Sequence, residues 1–190
     1  MCIDTDRIFA TGKSLGGGFA GVLACDAIMS ARIAAFAPVS GAFYITTSGT
    51  CVPETIPIPC FASAGKRKGP VPILEFHGGS DATIAYHGGS RKGACLPDII
   101  HWATEWAVRN GFPAADATRS LTDAGAVVHE WGSGLAKGVV THIFDGPNIQ
   151  HDWPSTAVNA DNIGSPLASF NATPIILDFF RAHWLGMAYV

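Results

Sequence analysis

At 190 residues, 48% apolar and 14% charged, the chain has the composition of one folded domain with a sizeable core, and disorder is excluded. Twelve basic against fifteen acidic side chains leave a net charge of −3 with no block of like charge, so neither nucleic acid nor a membrane surface is an expected partner. Gly, Pro or a charge interrupts every apolar run before the ~18 residues of a membrane-spanning helix. The opening residues, 1–7, carry none of the basic and apolar regions of a secretory signal.

Taken in chain order, residues 7–11 (Arg-Ile-Phe-Ala-Thr) read as a short buried strand, and 15–31 as a helix whose Gly- and Ala-rich start suits close packing on a sheet. Two more strands are predicted at 33–39, ended by Ser40-Gly41, and at 71–77, bounded by Pro72 and Gly78-Gly79. Over 97–110, Ile99, Trp102, Ala103 and Trp106 fall on one helical face, and Gly111 stops the helix. Strands at 126–131 and 139–144 follow, then a polar loop from Asp145. A last helix spans 173–185, with Thr173 as N-cap and Pro174 at its first position. Strands alternating with helices predict an α/β fold with a mostly parallel sheet and helices on both faces, in a single domain.

Gly12-Lys13-Ser14-Leu15-Gly16 matches Gly-x-Ser-x-Gly between a strand and a Gly-rich helix, where a sharp turn lifts a serine oxygen above the sheet edge. A phosphate-binding loop fails on its frame: the first glycine would have to be Arg7, and the loop positions would be an apolar strand. A serine nucleophile needs a base and an acid to orient it, following in the order Ser, Asp or Glu, His. Asp81 is delivered by the glycine turn after the 71–77 strand, at the edge where sites form in such sheets. His151 lies in the loop after the last strand and is the base by position. His101 and His183 fall in predicted helices, His129 and His142 inside strands, and His77 and His87 flank the acid turn. No His-Glu-x-x-His or comparable ligand pair occurs, so neither a metal nor another cofactor is expected.

The strings 10–19 (ATGKSLGGGF), 36–41 (FAPVSG), 76–81 (FHGGSD), 93–97 (GACLP) and 151–154 (HDWP) resemble the fungal feruloyl esterases, of the same esterase group as acetylxylan esterases and polyhydroxybutyrate depolymerases. The resemblance implies an α/β-hydrolase sheet, Ser14 as nucleophile, Asp81 as acid, His151 as base, and secretion from the cell. It implies an oxyanion hole containing the amide of Leu15, with a second donor from a loop that should precede the nucleophile. Only 13 residues precede Ser14, so the early strands of that fold are expected to be absent, leaving a domain incomplete at its N-terminal side. Trp153, beside His151, and the helix carrying Trp102 and Trp106 are candidate aromatic walls for substrate.

Five cysteines without a Cys-x-x-Cys favour an oxidising compartment. Cys51 and Cys60 bracket a Pro-rich loop and are expected to pair, Cys2 could pair with Cys25, and Cys95 would then be free. The sequon Asn171-Ala-Thr173 is compatible with secretion. The leading expectation is a serine carboxylesterase acting on feruloylated polysaccharide or a small aromatic ester. An acetylxylan esterase or polyester depolymerase is the alternative within hydrolases, and an inactive fragment the alternative of another class.

Overall fold

The computed structural model describes residues 2–60 and 69–187. Strand β1 (Phe9–Lys13) leads through Ser14 into helix α1 (Leu15–Cys25), followed by β2 (Ala35–Val39) and β3 (Ile73–His77). A small hairpin, β4 (Gly89–Arg91) and β5 (Ala94–Leu96), precedes helix α2 (Ile99–Arg109). Strands β6 (Ala117–Ser120), β7 (Val127–Trp131) and β8 (Val140–Phe144) come next, and helix α3 (Ala172–Ala182) closes the order. Six strands form one sheet in the order β1-β2-β3-β8-β7-β6. The first four run parallel, while β7 and β6 are antiparallel additions. The fold is thus α/β, with a mostly parallel sheet.

Strands β2 and β3 are buried along their whole length, as expected of parallel strands covered on both faces. Alternation divides their side chains between two cores. Phe36 and Ile73 pack with Trp102 and Trp106 of α2 on one face, and Ala37, Val39, Leu74 and Phe76 pack with Ile176 and Phe180 of α3 on the other. Phe9 stacks on Phe180 with centroids 4.6 Å apart. Asp98 caps α2 by accepting from the His101 amide, and Asn110 at its other end exchanges hydrogen bonds with both backbone groups of Val71. The end of α2 thereby fixes where β3 enters the sheet. Trp102 and Trp106 are core residues, 2% and 0% exposed.

Several expectations are corrected. Helix α1 ends at Cys25 rather than continuing to 31, because Asp26 turns extended and its carboxylate accepts from the amides of Ile28 and Met29. Helix α3 begins at Ala172 after Asn171, so Thr173 lies inside it, its hydroxyl taking the Trp153 indole N–H at 3.0 Å. The hairpin β4-β5 and the edge strand β6, exposed at all four residues, carry no apolar alternation and escaped the sequence reading.

The disulfides are Cys25–Cys60 and Cys51–Cys95, and Cys2 is free and exposed, so the expected Cys51–Cys60 and Cys2–Cys25 pairs and a free Cys95 are all overturned. The loop between Cys51 and Cys60 does not double back. It lies along α2, with Pro53 accepting from the Asp98 amide, Ile56 bonded to the His101 ring and Ile58 accepting from Arg109. Running along the helix, the segment carries Cys51 to Cys95 and Cys60 to Cys25 rather than to each other. Each end is instead tied to its own neighbour. No helix among the described residues is long and apolar enough to cross a membrane.

Candidate functional site

Ser14, Asp81 and His151 follow the carboxyl ends of β1, β3 and β8, three parallel strands of the same sheet, and therefore emerge at one edge. Ser14 has φ 58° and ψ −119°, a left-handed conformation that costs a non-glycine residue on the order of 1–3 kcal/mol. The surroundings impose it. Its amide donates to the Val39 carbonyl, and its own carbonyl accepts from the amides of Gly18 and Ala42. Ser14 occupies the N-cap position of α1, yet its hydroxyl makes no cap hydrogen bond, unlike most serines there. Gly12 permits this turn, since a Cβ there would come within 2.7 Å of the Gly16 carbonyl carbon. A Cβ on Gly16, by contrast, would meet nothing within 4 Å.

The segments carrying Asp81 and His151 are laced together. The His77 carbonyl accepts from Asp145, the Gly79 amide donates to Gly146, and Ser80 donates through its amide to Ile149 and through its hydroxyl to Pro147. Gly78 lies so close to this loop that a Cβ would sit 2.5 Å from the Gln150 carbonyl oxygen. The lacing brings His151 Nδ1 to 2.7 Å from Asp81 Oδ2, across 70 residues of chain. Asp81 Oδ1 accepts from the amides of Thr83 and Ile84 at 2.8 and 2.7 Å. Burial alone would raise the Asp81 carboxyl, but the bonds from His151, His77 and Ile84 outweigh it and hold the group well below the usual carboxylate range.

A second link ties the serine turn to the histidine loop. Lys13, next to Ser14, forms an ion pair with Asp161, whose other oxygen accepts from the Trp153 amide at 2.6 Å. Burial would raise Asp161, and the Lys13 contact brings it below its ordinary value. Trp153 is partly buried against the α3-side core, with its indole N–H committed to Thr173. Leu15 begins α1 with its side chain 66% exposed, and with Phe19, Val22, Phe43, Tyr44 and Trp102 it lines an apolar groove of about 590 Å³ running along the helix.

No family model matches the chain. Part of it is similar to feruloyl esterase B of Piromyces equi. The two are 35% identical over 118 residues, which cover 58% of this chain and 19% of that relative, so the chain spans about a fifth of the relative's length. A curated relative is thus named as an esterase.

Sequence reasoning missed the groups behind Asp81. Glu75 and His77 project from the same face of β3, and the register sets His142 of β8 beside Glu75. Glu75 Oε1 lies 2.9 Å from His77 Nδ1, and Oε2 lies 2.7 Å from His142 Nδ1. A Glu and a His two apart inside an apolar strand were the available signal. Asp145, at the end of β8, is buried with neither carboxylate oxygen hydrogen-bonded among the described residues, and burial pushes it well above its ordinary value.

Proposed function

We propose that the chain is a serine ester hydrolase with an α/β-hydrolase arrangement, in which Ser14 is the nucleophile, His151 the base and Asp81 the acid that orients it. The hydrogen bond between His151 Nδ1 and Asp81 Oδ2 carries this reading, formed at the sheet edge where Ser14 is held in a left-handed turn with its hydroxyl uncapped. With Nδ1–H committed to Asp81, Nε2 is the ring atom that takes the Ser14 proton as Oγ attacks an ester carbonyl. The oxyanion then formed takes the Leu15 amide at the start of α1, where the helix dipole favours negative charge. Collapse of the intermediate breaks the bond to the leaving alcohol, which receives the proton from His151. Water, activated by the same ring, releases the acid and restores Ser14.

The relative's name and the apolar groove beside Leu15 favour an ester with an aromatic acyl group, such as ferulate on plant cell-wall polysaccharide. Trp153, next to the base, is the proposed second wall. Two disulfides accord with secretion, since such bonds persist in oxidising compartments. Turnover of methyl ferulate set against an acetyl ester tests the substrate. Preference for the ferulate supports this reading, preference for acetate would favour an acetylxylan or polyester hydrolase, and hydrolysis of neither would leave the chain a fragment without esterase activity.

A further inference from the structure

His77 is fully buried, and its ring faces acceptors. Nδ1 lies 2.9 Å from Glu75 Oε1, while Nε2 lies 2.7 Å from the Ile84 carbonyl oxygen and 3.3 Å from Asp81 Oδ2. Neighbouring contacts assign the protons. His142 Nδ1 lies on Glu75 Oε2, and its Nε2 lies 3.0 Å from the Tyr86 hydroxyl, which suits a neutral ring that donates to Glu75 and accepts from Tyr86. The one remaining proton, between Glu75 and His77, belongs on the ring, the stronger base by about two units. The Asp81 carboxylate on the far side of the ring favours it there.

We propose that His77 is a buried imidazolium that positions Asp81, gripping the carboxylate oxygen that orients His151 and placing a fixed positive charge behind the catalytic pair. The proposal rests on the roles given above to Ser14, Asp81 and His151. In that role His77 keeps Asp81 ionised and turned toward His151, and its charge opposes a second proton on the base, extending activity toward acid pH.

The groups facing His77 are Glu75 on its own strand, Asp81 and Tyr86 from the segment after β3, and His142 and Asp145 from β8 and its end. Those around His151 are Asp81 and Asp161, the latter neutralised by Lys13. Burial disfavours a charge on His77, yet Glu75 and Asp81 push the ring up to about 10. Glu75 fits the same assignment: burial would raise it, and the charge on His77 with the bonds from both rings brings it below its ordinary value.

The two contacts through Asp81 Oδ2 place His77 Nε2 no more than about 6 Å from His151 Nδ1. A unit charge at that distance moves a titration by ~0.5 units in a water-like medium and ~2 in a protein-like one. In His77→Gln, whose amide N–H can still donate to the Ile84 carbonyl without the charge, the acid limb of the kcat/KM profile should move up by about 0.5–2 pH units, while KM changes little. An unmoved limb would overturn the proposal, because a merely structural His77 would lower activity equally at every pH.

A second measurement needs neither the variant nor turnover. Long-range ¹H–¹⁵N spectra of the uniformly labelled wild-type chain should show His77 with hydrogen on both nitrogens from pH 6 to about 9. A single neutral tautomer at pH 8 would overturn the proposal even if His77→Gln fails to fold. If the wild type hydrolyses no ester, the esterase reading fails, and the spectra still decide the state of His77.

Discussion

Replacing Gly78 with alanine tests whether the lacing between the two loops sets the proposed catalytic pair. The new Cβ would sit 2.5 Å from the Gln150 carbonyl oxygen and 2.7 Å from the Ile149 carbonyl carbon, where ordinary contact begins at 3.4 Å. Both obstacles are backbone, so the segment preceding His151 must retreat by about 0.9 Å. The Ser80–Ile149 and Gly79–Gly146 hydrogen bonds, 2.9 and 3.0 Å long, would stretch past useful length. Losing two such bonds and overpacking the junction costs about 2–4 kcal/mol together, or a Tm fall of ~5–15 °C for a chain of this size. A displacement near 1 Å at His151 is expected to lower kcat/KM by ~10²-fold beyond any loss of folded protein. Ester turnover per folded molecule and a thermal melt measure the two effects. Gly16→Ala is the control for stability, because its Cβ meets nothing and alanine suits a helix better by roughly 0.5–1 kcal/mol, so its Tm should not fall. A Gly78→Ala chain with wild-type turnover and Tm would show that the laced loops do not set the position of His151.

Asp81→Asn keeps the shape of the site but offers His151 an amide in place of a carboxylate, and kcat should fall on the order of 10⁴-fold through the wrong ring tautomer. A loss below about tenfold would remove Asp81 from the mechanism. Proteolysis without reductant should yield peptides joined through Cys25–Cys60 and Cys51–Cys95, and none joined through Cys51–Cys60. The bridges span 35 and 44 residues, so breaking either should cost about 4 kcal/mol by chain entropy, seen as a lower denaturation midpoint in Cys95→Ala. For pH, His77 is raised from 6.5 to about 10, so the stability it contributes is full below pH 6.5 and is lost as pH rises through 10. Asp81 is lowered from 3.8, so its contribution is present above that pH and is lost as pH falls further. Tm should therefore decline between pH 7 and 10.5, and a flat Tm over that range would contradict the buried imidazolium.

The parallel core was legible because β2, β3 and β8 are apolar runs punctuated by glycine, and α2 because its apolar face is periodic and its end marked by Gly111. Ser14, Asp81 and His151 were legible as candidates because each sits in a turn past the end of a strand. The disulfides were not legible, since pairing depends on the path of the loop along α2, which is fixed by backbone bonds to Asp98, His101 and Arg109 rather than by cysteine spacing. The polar groups behind Asp81 depend on register. Nothing in the sequence sets Glu75 beside His142, 67 residues away, until β3 and β8 are known to be neighbours.

The central claim is that Ser14 is a nucleophile activated by His151. Reaction of the folded chain with a fluorophosphonate, followed by peptide mass spectrometry, tests it most directly, because the reagent bonds by far the fastest to a serine whose proton is being removed. One adduct is expected, on Ser14, absent from Ser14→Ala and reduced at least ~10³-fold in rate in His151→Ala. A folded chain that takes no label, that takes it on another serine, or that labels equally fast without His151 would contradict the account.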